Sequence, residues 1–266
     1  MIAAASSTAT AKVRHSRRAA EYSRLALGLG GVATLLVVLE VIPRIGVVDR
    51  RFLPPFSEIA NALVQRVQGA DFWSALGDTL VTWAIGLSIA LVAGIGLGML
   101  IGSVGFLRDA TASTIEFLRP IPSVALIPLA VLLLGVYATF WQVLIQVLYG
   151  VQDVDPVARD TARVYKFRFW TTARRLVWPT TLPYAVTGFR LGATVALILT
   201  ITGELIIGTP GLGRLLAVAQ QSGQVASMYA LVIVTGLLGV VVNLAARQVE
   251  RRVLHWHSSI RRETTT

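Results

Sequence analysis

Residues 120–152, PIPSVALIPLAVLLLGVYATFWQVLIQVLYGVQ, form a run of 33 residues without a charged side chain. A helical bilayer crossing needs about 20 apolar residues, so this run is typical of a membrane protein. Residues 79–107 form a second uncharged run, of 29 residues. Only 14% of the 266 residues are charged, against about 25% in soluble domains. Because such long runs cross a bilayer as helices, the sequence predicts an all-α integral membrane protein.

Lysine and arginine counts predict how often the chain crosses the membrane. Four further apolar segments lie at 25–43, 79–104, 184–208 and 229–246. If residues 120–152 hold one crossing, the better orientation places 16 Lys and Arg residues in the cytoplasm and 8 outside. If the region holds two crossings with a break near Gly135, the distribution is 19 to 5. The positive-inside rule favours the second arrangement, which has six transmembrane helices and both termini in the cytoplasm.

This topology divides the chain into a membrane domain and two tails. We expect a cytoplasmic N-terminal tail at 1–24, a transmembrane domain at 25–246 and a cytoplasmic C-terminal tail at 247–266. A cytoplasmic loop lies at 153–183. The first apolar stretch is longer than the ~7–15 residues of a signal-peptide core, so it is interpreted as a retained span.

The composition excludes several classes of protein. The chain has no cysteine, which excludes disulfides, thiolate metal sites and cysteine nucleophiles. Its three histidines, His15, His255 and His257, lie in the polar tails, where they cannot ligate a metal inside the membrane. The net charge of +10 comes from patches between apolar runs, a pattern typical of membrane topology rather than of nucleic-acid binding. We expect no catalytic residue and no metal site.

The loop contains a basic and aromatic stretch, RDTARVYKFRFWTTARR at 159–175, with six cations in 17 residues. Asp155 followed by Pro156 predicts a helix start, with the aspartate as N-cap. Four residues spaced three or four apart share one face of that helix: Ala158, Thr161, Ala162 and Tyr165. A small face rimmed by arginine and aromatic groups suits docking in a groove of another protein. Anchoring at anionic lipid headgroups is the alternative.

Small residues recur on two of the spans. Five of them are spaced four apart on the second span: Gly86, Ala90, Gly94, Gly98 and Gly102. Gly188, Gly192 and Ala196 repeat the pattern on the fifth. Such faces let helices approach closely in lipid. These faces have two interpretations: the helices slide against each other, or they pack in a fixed position.

Three residues are candidates for a translocation pathway. Pro122 and Pro128 remove backbone hydrogen bonds inside an apolar run, which membranes tolerate where protein or a watery cavity satisfies the freed groups. A plain kink is the other interpretation. Glu204 lies near the end of the fifth span, where a carboxylate is either functional or simply reaches water. The same two interpretations apply to Glu40 at the end of the first span.

Several motifs resemble those of bacterial ABC-importer permeases. They are LRPIPSVALIPLAVLLLG at 118–135, VWPTTLPYAVTGFRLG at 177–192 and TGELIIGTPGLGRLL at 202–216. The chain looks like the subgroup that imports nitrate, taurine, other sulfonates, bicarbonate, and some vitamin precursors or aromatic acids. The resemblance covers roughly residues 30–250 and implies the type I importer fold, with six transmembrane helices and a cytoplasmic coupling helix.

The resemblance also assigns the loop. Asp160, Thr161 and Ala162 occupy the place of the family's Glu-Ala-Ala triplet, and Arg168 follows in the same coupling loop. Lys166 stands where the family usually has glycine, so it would cost energy if the position needs a left-handed turn. Family members also carry more residues between 135 and 154, which makes the fourth span short here.

By resemblance, the chain is the permease subunit of an ATP-driven importer in a bacterial inner membrane. Its expected partners are an ABC ATPase, an extracytoplasmic solute-binding protein, a second copy of itself and the bilayer. No G-x-x-x-x-G-K-[ST] motif occurs, so ATP and Mg²⁺ are expected on the ATPase, with no cofactor in this chain. An enzyme acting on lipid would need paired acids or histidines in its spans, and a passive channel would need no docking loop. The solute itself is not identified by the sequence.

Overall fold

The computed structural model describes residues 27–28, 30–120 and 131–255, with side chains from residue 134 onward after the gap. Within these ranges the chain is helical and contains no strand. Most of the predicted tails, together with Pro122 and Pro128, lies outside the described residues. The helices are α1 at 30–44, α2 Phe56–Gln68, α3 Ala70–Ser103, α4 Gly105–Leu118, α5 Val131–Gln152, α6 Pro156–Val164, α7 Phe169–Thr172, α8 Trp178–Ile207, α9 Leu212–Gln221 and α10 Val225–Val253.

Four helical stretches of the described residues are long and apolar enough to cross a membrane: Ala70–Ser103, Leu134–Gln152, Phe169–Ile207 and Val225–Val253. Three of them contain or closely overlap the segments predicted at 79–104, 184–208 and 229–246. The segment predicted at 25–43 lies only partly within the described residues, where it forms α1. The all-helical membrane fold is confirmed, and the six-span count stays a prediction.

Helix α5 runs unbroken through Gly135, so the predicted break does not lie at that residue. A Cβ on Gly135 would lie 3.6 Å from the Thr200 hydroxyl of α8, which is an ordinary contact distance. Residues 121–130, which precede α5, lie outside the described residues. A π-helical turn at Ala173–Val177 joins α7 to α8, so that 169–207 is one continuous helical stretch. Pro179 and Pro183 both lie within this stretch, which continues through them.

The described chain forms two compact units. The first comprises Met1–Gln65 and Val225–Ala230. Within it, the Glu40 carboxylate accepts hydrogen bonds from the backbone N–H of Ser57 at 2.9 Å and from its hydroxyl at 3.0 Å, and it pairs with Arg44. Ser57 lies in the first turn of α2, whose N–H groups have no partner inside the helix. Glu40 therefore caps a neighbouring helix.

The second unit comprises Arg66–Gln224 and Leu231–Thr266, and α3, α5 and α8 form its core. The predicted small face of α3 is buried along its full length. A methyl group added to any of three glycines would collide with a valine of α5: Gly94 with Val143 at 2.9 Å, Gly98 with Val147 at 2.8 Å, and Gly102 with Val151 at 2.8 Å. Such interlocking favours static packing over sliding.

Candidate functional site

The candidate coupling loop begins as the sequence predicts. Helix α6 starts at Pro156, and the Asp155 side chain accepts a hydrogen bond of 2.8 Å from the backbone N–H of Val157. The aspartate satisfies one of the N–H groups left free at a helix start, and proline needs no partner there. The predicted cap is confirmed.

Helix α6 ends in a turn that normally requires glycine. The backbone N–H of Phe167 donates to the carbonyl of Ala162 at 2.9 Å, and that of Lys166 donates to Arg163 at 2.9 Å. These two bonds define a Schellman motif, whose residue after the cap is left-handed. Lys166 occupies that position with φ 51°, the only positive φ of a non-glycine residue within the described ranges. The position therefore needs a left-handed turn, and lysine adopts that backbone conformation at a cost in free energy relative to glycine.

The loop is fastened to both helices that flank it. The guanidinium of Arg159 donates to the carbonyl of Val151, near the end of α5, at 2.8 Å. The hydroxyl of Tyr184, in α8, donates to the Asp153 carboxylate at 3.0 Å. Val154 is buried in the same apolar cluster as α5 and α8. A displacement of α6 must therefore move the ends of both helices.

The small face of the loop is only partly buried. Ala162 is 6% exposed and Ala158 is half-buried, whereas Thr161 is exposed, and all three line a groove of about 460 Å³ between α6 and residues 171–176. Tyr165, placed on the same predicted face, is exposed. The remaining predicted loop residues, Asp160, Lys166 and Arg168, are exposed as well.

The loop also exposes apolar side chains among its charged residues. The four most exposed of them, which we call the outer loop surface, are Val157, Val164, Tyr165 and Trp170, and Phe167 and Phe169 are about half exposed. Tyr165 and Trp170 belong to the basic and aromatic stretch that the sequence singles out, whereas Val157 and Val164 were missed. The helical period was the available signal, because these two valines are seven residues apart and therefore share one face of α6.

The other candidate, Glu204, lies near the opposite end of α8 and is 1% exposed. One carboxylate oxygen, Oε2, accepts hydrogen bonds from the Thr79 hydroxyl at 2.9 Å and from the backbone N–H of Gly213 at 3.0 Å. The Thr79 hydroxyl in turn accepts from the N–H of Leu212 at 2.9 Å. This cluster, which we call the carboxylate clasp, joins α3, α8 and the start of α9.

Two observations show how closely the clasp is built. Gly211 has φ 149° and ψ 179°, a conformation that is essentially restricted to glycine, and a Cβ there would overlap the Glu204 carboxylate. The second carboxylate oxygen, Oε1, is buried with no hydrogen-bond partner among the described residues. The interpretation of Glu204 as a carboxylate that reaches water is therefore wrong for this conformation.

A second polar region was missed by sequence reasoning. Helix α5 carries Tyr137, Trp141, Gln142, Gln146 and Tyr149, which recur at helical spacing within the uncharged run. They line a cavity of about 250 Å³ together with Ala138, Ile145 and Arg119, the residue that follows α4. The spacing was visible in the sequence, but uncharged polar residues do not interrupt an apolar run.

Comparison with known proteins gives consistent results. The family described as "binding-protein-dependent transport system inner membrane component" matches residues 86–255. The taurine transport system permease protein TauC of Escherichia coli is 27% identical over 89% of this chain and 92% of its own. The nitrate import permease protein NrtB of Synechocystis is 30% identical over 62% of this chain and 64% of its own.

A solved structure shares the fold. An inward-facing form of the MetNI methionine ABC transporter matches 75% of this chain and 98% of the solved chain, with a TM-score of 0.53 and 16% identity.

Proposed function

Because the chain belongs to the family of binding-protein-dependent transport system inner membrane components, we propose that its loop at 153–183 couples a separate ATPase to the membrane helices. The chain is the permease subunit of an ABC import system, a multi-pass protein of the inner membrane that works with an ATPase and a binding protein. In the proposal the ATPase binds ATP and Mg²⁺ and performs the hydrolysis, and this chain has no catalytic residue.

The observation that carries the proposal is the outer loop surface. Val164 and Trp170 are each 78% exposed and Tyr165 is 71% exposed, on a loop fastened to α5 and α8. Exposed apolar groups that cluster in this way mark contact sites, and aromatic residues dominate the binding energy of such contacts. The rigid attachment supports a role in transmitting motion, since an anchor to lipid headgroups requires no such fastening.

The predicted site residues divide into two groups in this proposal. Asp160, Thr161, Lys166 and Arg168 contact the ATPase from exposed positions, whereas Ala158 and Ala162 shape the groove behind them. Pro122, Pro128 and Glu204 remain the proposed pathway residues. Because the Glu204 carboxylate is buried in the clasp, it meets solute only when α9 moves away from α3.

The assembly and the solute belong to the proposal as well. Two copies of the chain form a homodimer around the pathway, each with six transmembrane helices and both termini in the cytoplasm. The relatives' names, taurine and nitrate permeases, support a small solute with an anionic group.

Two measurements test the proposal. Since the chain has no cysteine, single cysteines can be introduced at exposed positions 68, 157 and 218. We expect Val157→Cys to react with an impermeant maleimide only from the cytoplasm, and Gln68→Cys and Val218→Cys only from outside. The ATPase encoded beside this chain should co-purify with it. Labelling of position 157 from outside would contradict the coupling role.

A further inference from the structure

Glu204 is an acidic residue buried within a membrane helix. It lies in the candidate span Phe169–Ile207 and is 1% exposed. It takes part in no ion pair among the described residues. An unpaired charge in such a place is so costly that a buried acid either finds a cation or takes up a proton. The surroundings of Glu204 therefore decide whether it is charged.

The described elements packed around Glu204 bring no cation to it. Asp78, one residue before Thr79 on α3, is negative and exposed, and Arg214 at the start of α9 is exposed. The turn 208–211 and helix α5 contain no charged residue. No group of three or more acidic or histidine side chains that could hold a metal ion occurs among the described residues. A proton is the neutralising group that remains.

The two oxygens of the Glu204 carboxyl group differ in their partners. Oε2 accepts from the Thr79 hydroxyl at 2.9 Å and from the N–H of Gly213 at 3.0 Å, whereas Oε1 has no partner among the described residues. An ionised carboxylate carries its charge on both oxygens and attracts donors to both. In a neutral carboxyl group one oxygen accepts and the other carries the proton. The observed asymmetry matches the neutral form.

The direction of the hydrogen bond from Thr79 is fixed by its other partner. The Thr79 hydroxyl accepts from the N–H of Leu212 at 2.9 Å, and its own hydrogen is left to donate to Oε2. Both neighbours of Oε2 are therefore donors, and neither leaves room for a proton on that oxygen. The proton of a neutral Glu204 belongs on Oε1.

We infer that Glu204 is held in the carboxylate clasp as a neutral carboxylic acid, and that the clasp joins α3, α8 and α9 only while Oε1 carries this proton. The O–H finds no acceptor among the described residues, but an unmet hydroxyl costs less than an unpaired buried charge. When α9 moves away and water reaches the group, the O–H bond breaks and the proton passes to water, because a solvated glutamic acid is ionised at neutral pH. Acid therefore favours the closed clasp. The inference does not depend on the coupling proposal.

Infrared spectroscopy tests the protonation state directly. A protonated carboxyl group has a C=O stretching band that a carboxylate lacks. Full-length permease is purified with its ATPase in a detergent without ester groups, and its spectrum at neutral pH is compared with that of Glu204→Gln. We expect the variant to lose one such band. Glu40→Gln is the control, because Glu40 pairs with Arg44 and accepts from Ser57, so its replacement should remove no band of this kind.

Thermal stability provides a second readout. Glutamine is neutral and keeps an oxygen that accepts from Thr79 and Gly213, so Glu204→Gln should unfold at about the same temperature as the original protein. An ionised Glu204 would instead lose two charge-assisted hydrogen bonds, which are about twice as strong as neutral ones, and the transition would fall clearly. Glu204→Leu removes both acceptors and should unfold earlier in either case, which shows that the assay detects loss of the clasp.

Cysteine labelling tests whether the proton holds α9 in place. Leu212→Cys lies at a fully buried position of α9 and Val218→Cys at an exposed one, in a chain that has no other cysteine. The ratio of their maleimide labelling rates in detergent corrects for the pH dependence of the thiol. We expect this ratio to rise with pH, by at most about tenfold per pH unit for one proton. In the Glu204→Gln background it should stay constant.

Three results would overturn the inference. They are an unchanged carboxyl band in Glu204→Gln, a failure of that variant to fold, and a labelling ratio that does not change with pH. ATPase co-purification, scored in the same preparations, reports on the coupling proposal separately. Original permease that shows the band and the pH dependence but retains no ATPase refutes the coupling proposal and leaves the inference about Glu204 standing.

Discussion

The two ends of α8 differ in whether the polar and apolar side chains there find partners within this chain. Near Ile207, the Glu204 carboxylate is buried and receives donors from Thr79 and Gly213. Before Trp178, the outer loop surface exposes Val164, Tyr165 and Trp170, which no other described residue covers. The clasp end is largely complete within one chain. The loop end gains from a partner, because its exposed apolar groups are stabilised only when they are covered.

The difference teaches how substitutions should act along a single helix. Changes at the clasp should alter the stability of the isolated permease. Changes at the outer loop surface should leave that stability alone and alter binding of the ATPase. Each variant below is therefore scored both for the thermal stability of the detergent-solubilised permease and for retention of the ATPase.

The largest expected effect is that of Gly211→Ala. The added Cβ would overlap the Glu204 carboxylate, and the residue would be forced into a glycine-only conformation. Each effect typically costs about 1–3 kcal/mol, so we expect severe loss of folded protein. Gly236→Ala, a helical position with open space around it, should be neutral or slightly stabilising. Equal stability of the two variants would show that the clasp is not closely packed.

Thr79→Val should come next. Valine keeps the shape but removes the hydroxyl, which leaves the Leu212 N–H without its acceptor and Glu204 with one donor fewer. An unsatisfied buried group costs about 1–3 kcal/mol, and the thermal transition should fall accordingly. Thr202→Val is the control, since that hydroxyl only bonds back to its own helix at an exposed site. If Thr79→Val lost ATPase binding while its thermal stability stayed unchanged, the expectation that clasp substitutions act on stability would be wrong.

Val164→Glu should separate the two ends of α8 most clearly. A charge in the centre of an apolar contact should weaken ATPase binding by about tenfold, or 1.4 kcal/mol, without lowering the thermal transition. Val67→Glu, a partly exposed position on α2, should leave the ATPase bound. If Val164→Glu retains the ATPase while replacement of Arg168, Arg174 and Arg175 by Gln disturbs insertion, the loop is a headgroup anchor.

Lys166→Gly should have the smallest effect and the opposite sign. The residue is left-handed with φ 51°, a conformation that costs an L-amino acid about 1–2 kcal/mol. Glycine removes that cost but gains freedom in the unfolded chain, so the net stabilisation should be below about 1 kcal/mol. Lys166→Ala keeps the strain and serves as the control. A lower thermal transition for the glycine variant would show that the lysine side chain contributes a contact that outweighs its backbone cost.

The sequence predicted features that depend on neighbouring residues better than those that depend on distant ones. The Asp155 cap and the glycine face of α3 follow from local spacing, and both are confirmed. Helix α5 continues through Gly135 and α8 through Pro183, because packing between helices decides whether such residues interrupt a helix.

The candidate site shows the same limit. The side of α6 that faces outward depends on how the turn at 165–168 brings residues 171–176 against α6, and no sequence pattern reports that. The partners of Glu204 lie 125 positions away, at Thr79, and just beyond a turn, at Gly213.

The interlocked glycines and valines of α3 and α5 limit how the length of these helices can change. Each residue of an α-helix turns the chain by about 100°, so one residue inserted or deleted between Gly94 and Gly102 would rotate part of the row away from Val143, Val147 and Val151. A substitution disturbs one contact, whereas a one-residue change of length disturbs several together. Along the interlocked part of α3, divergence between homologous chains should therefore proceed by exchange of residues rather than by change of length.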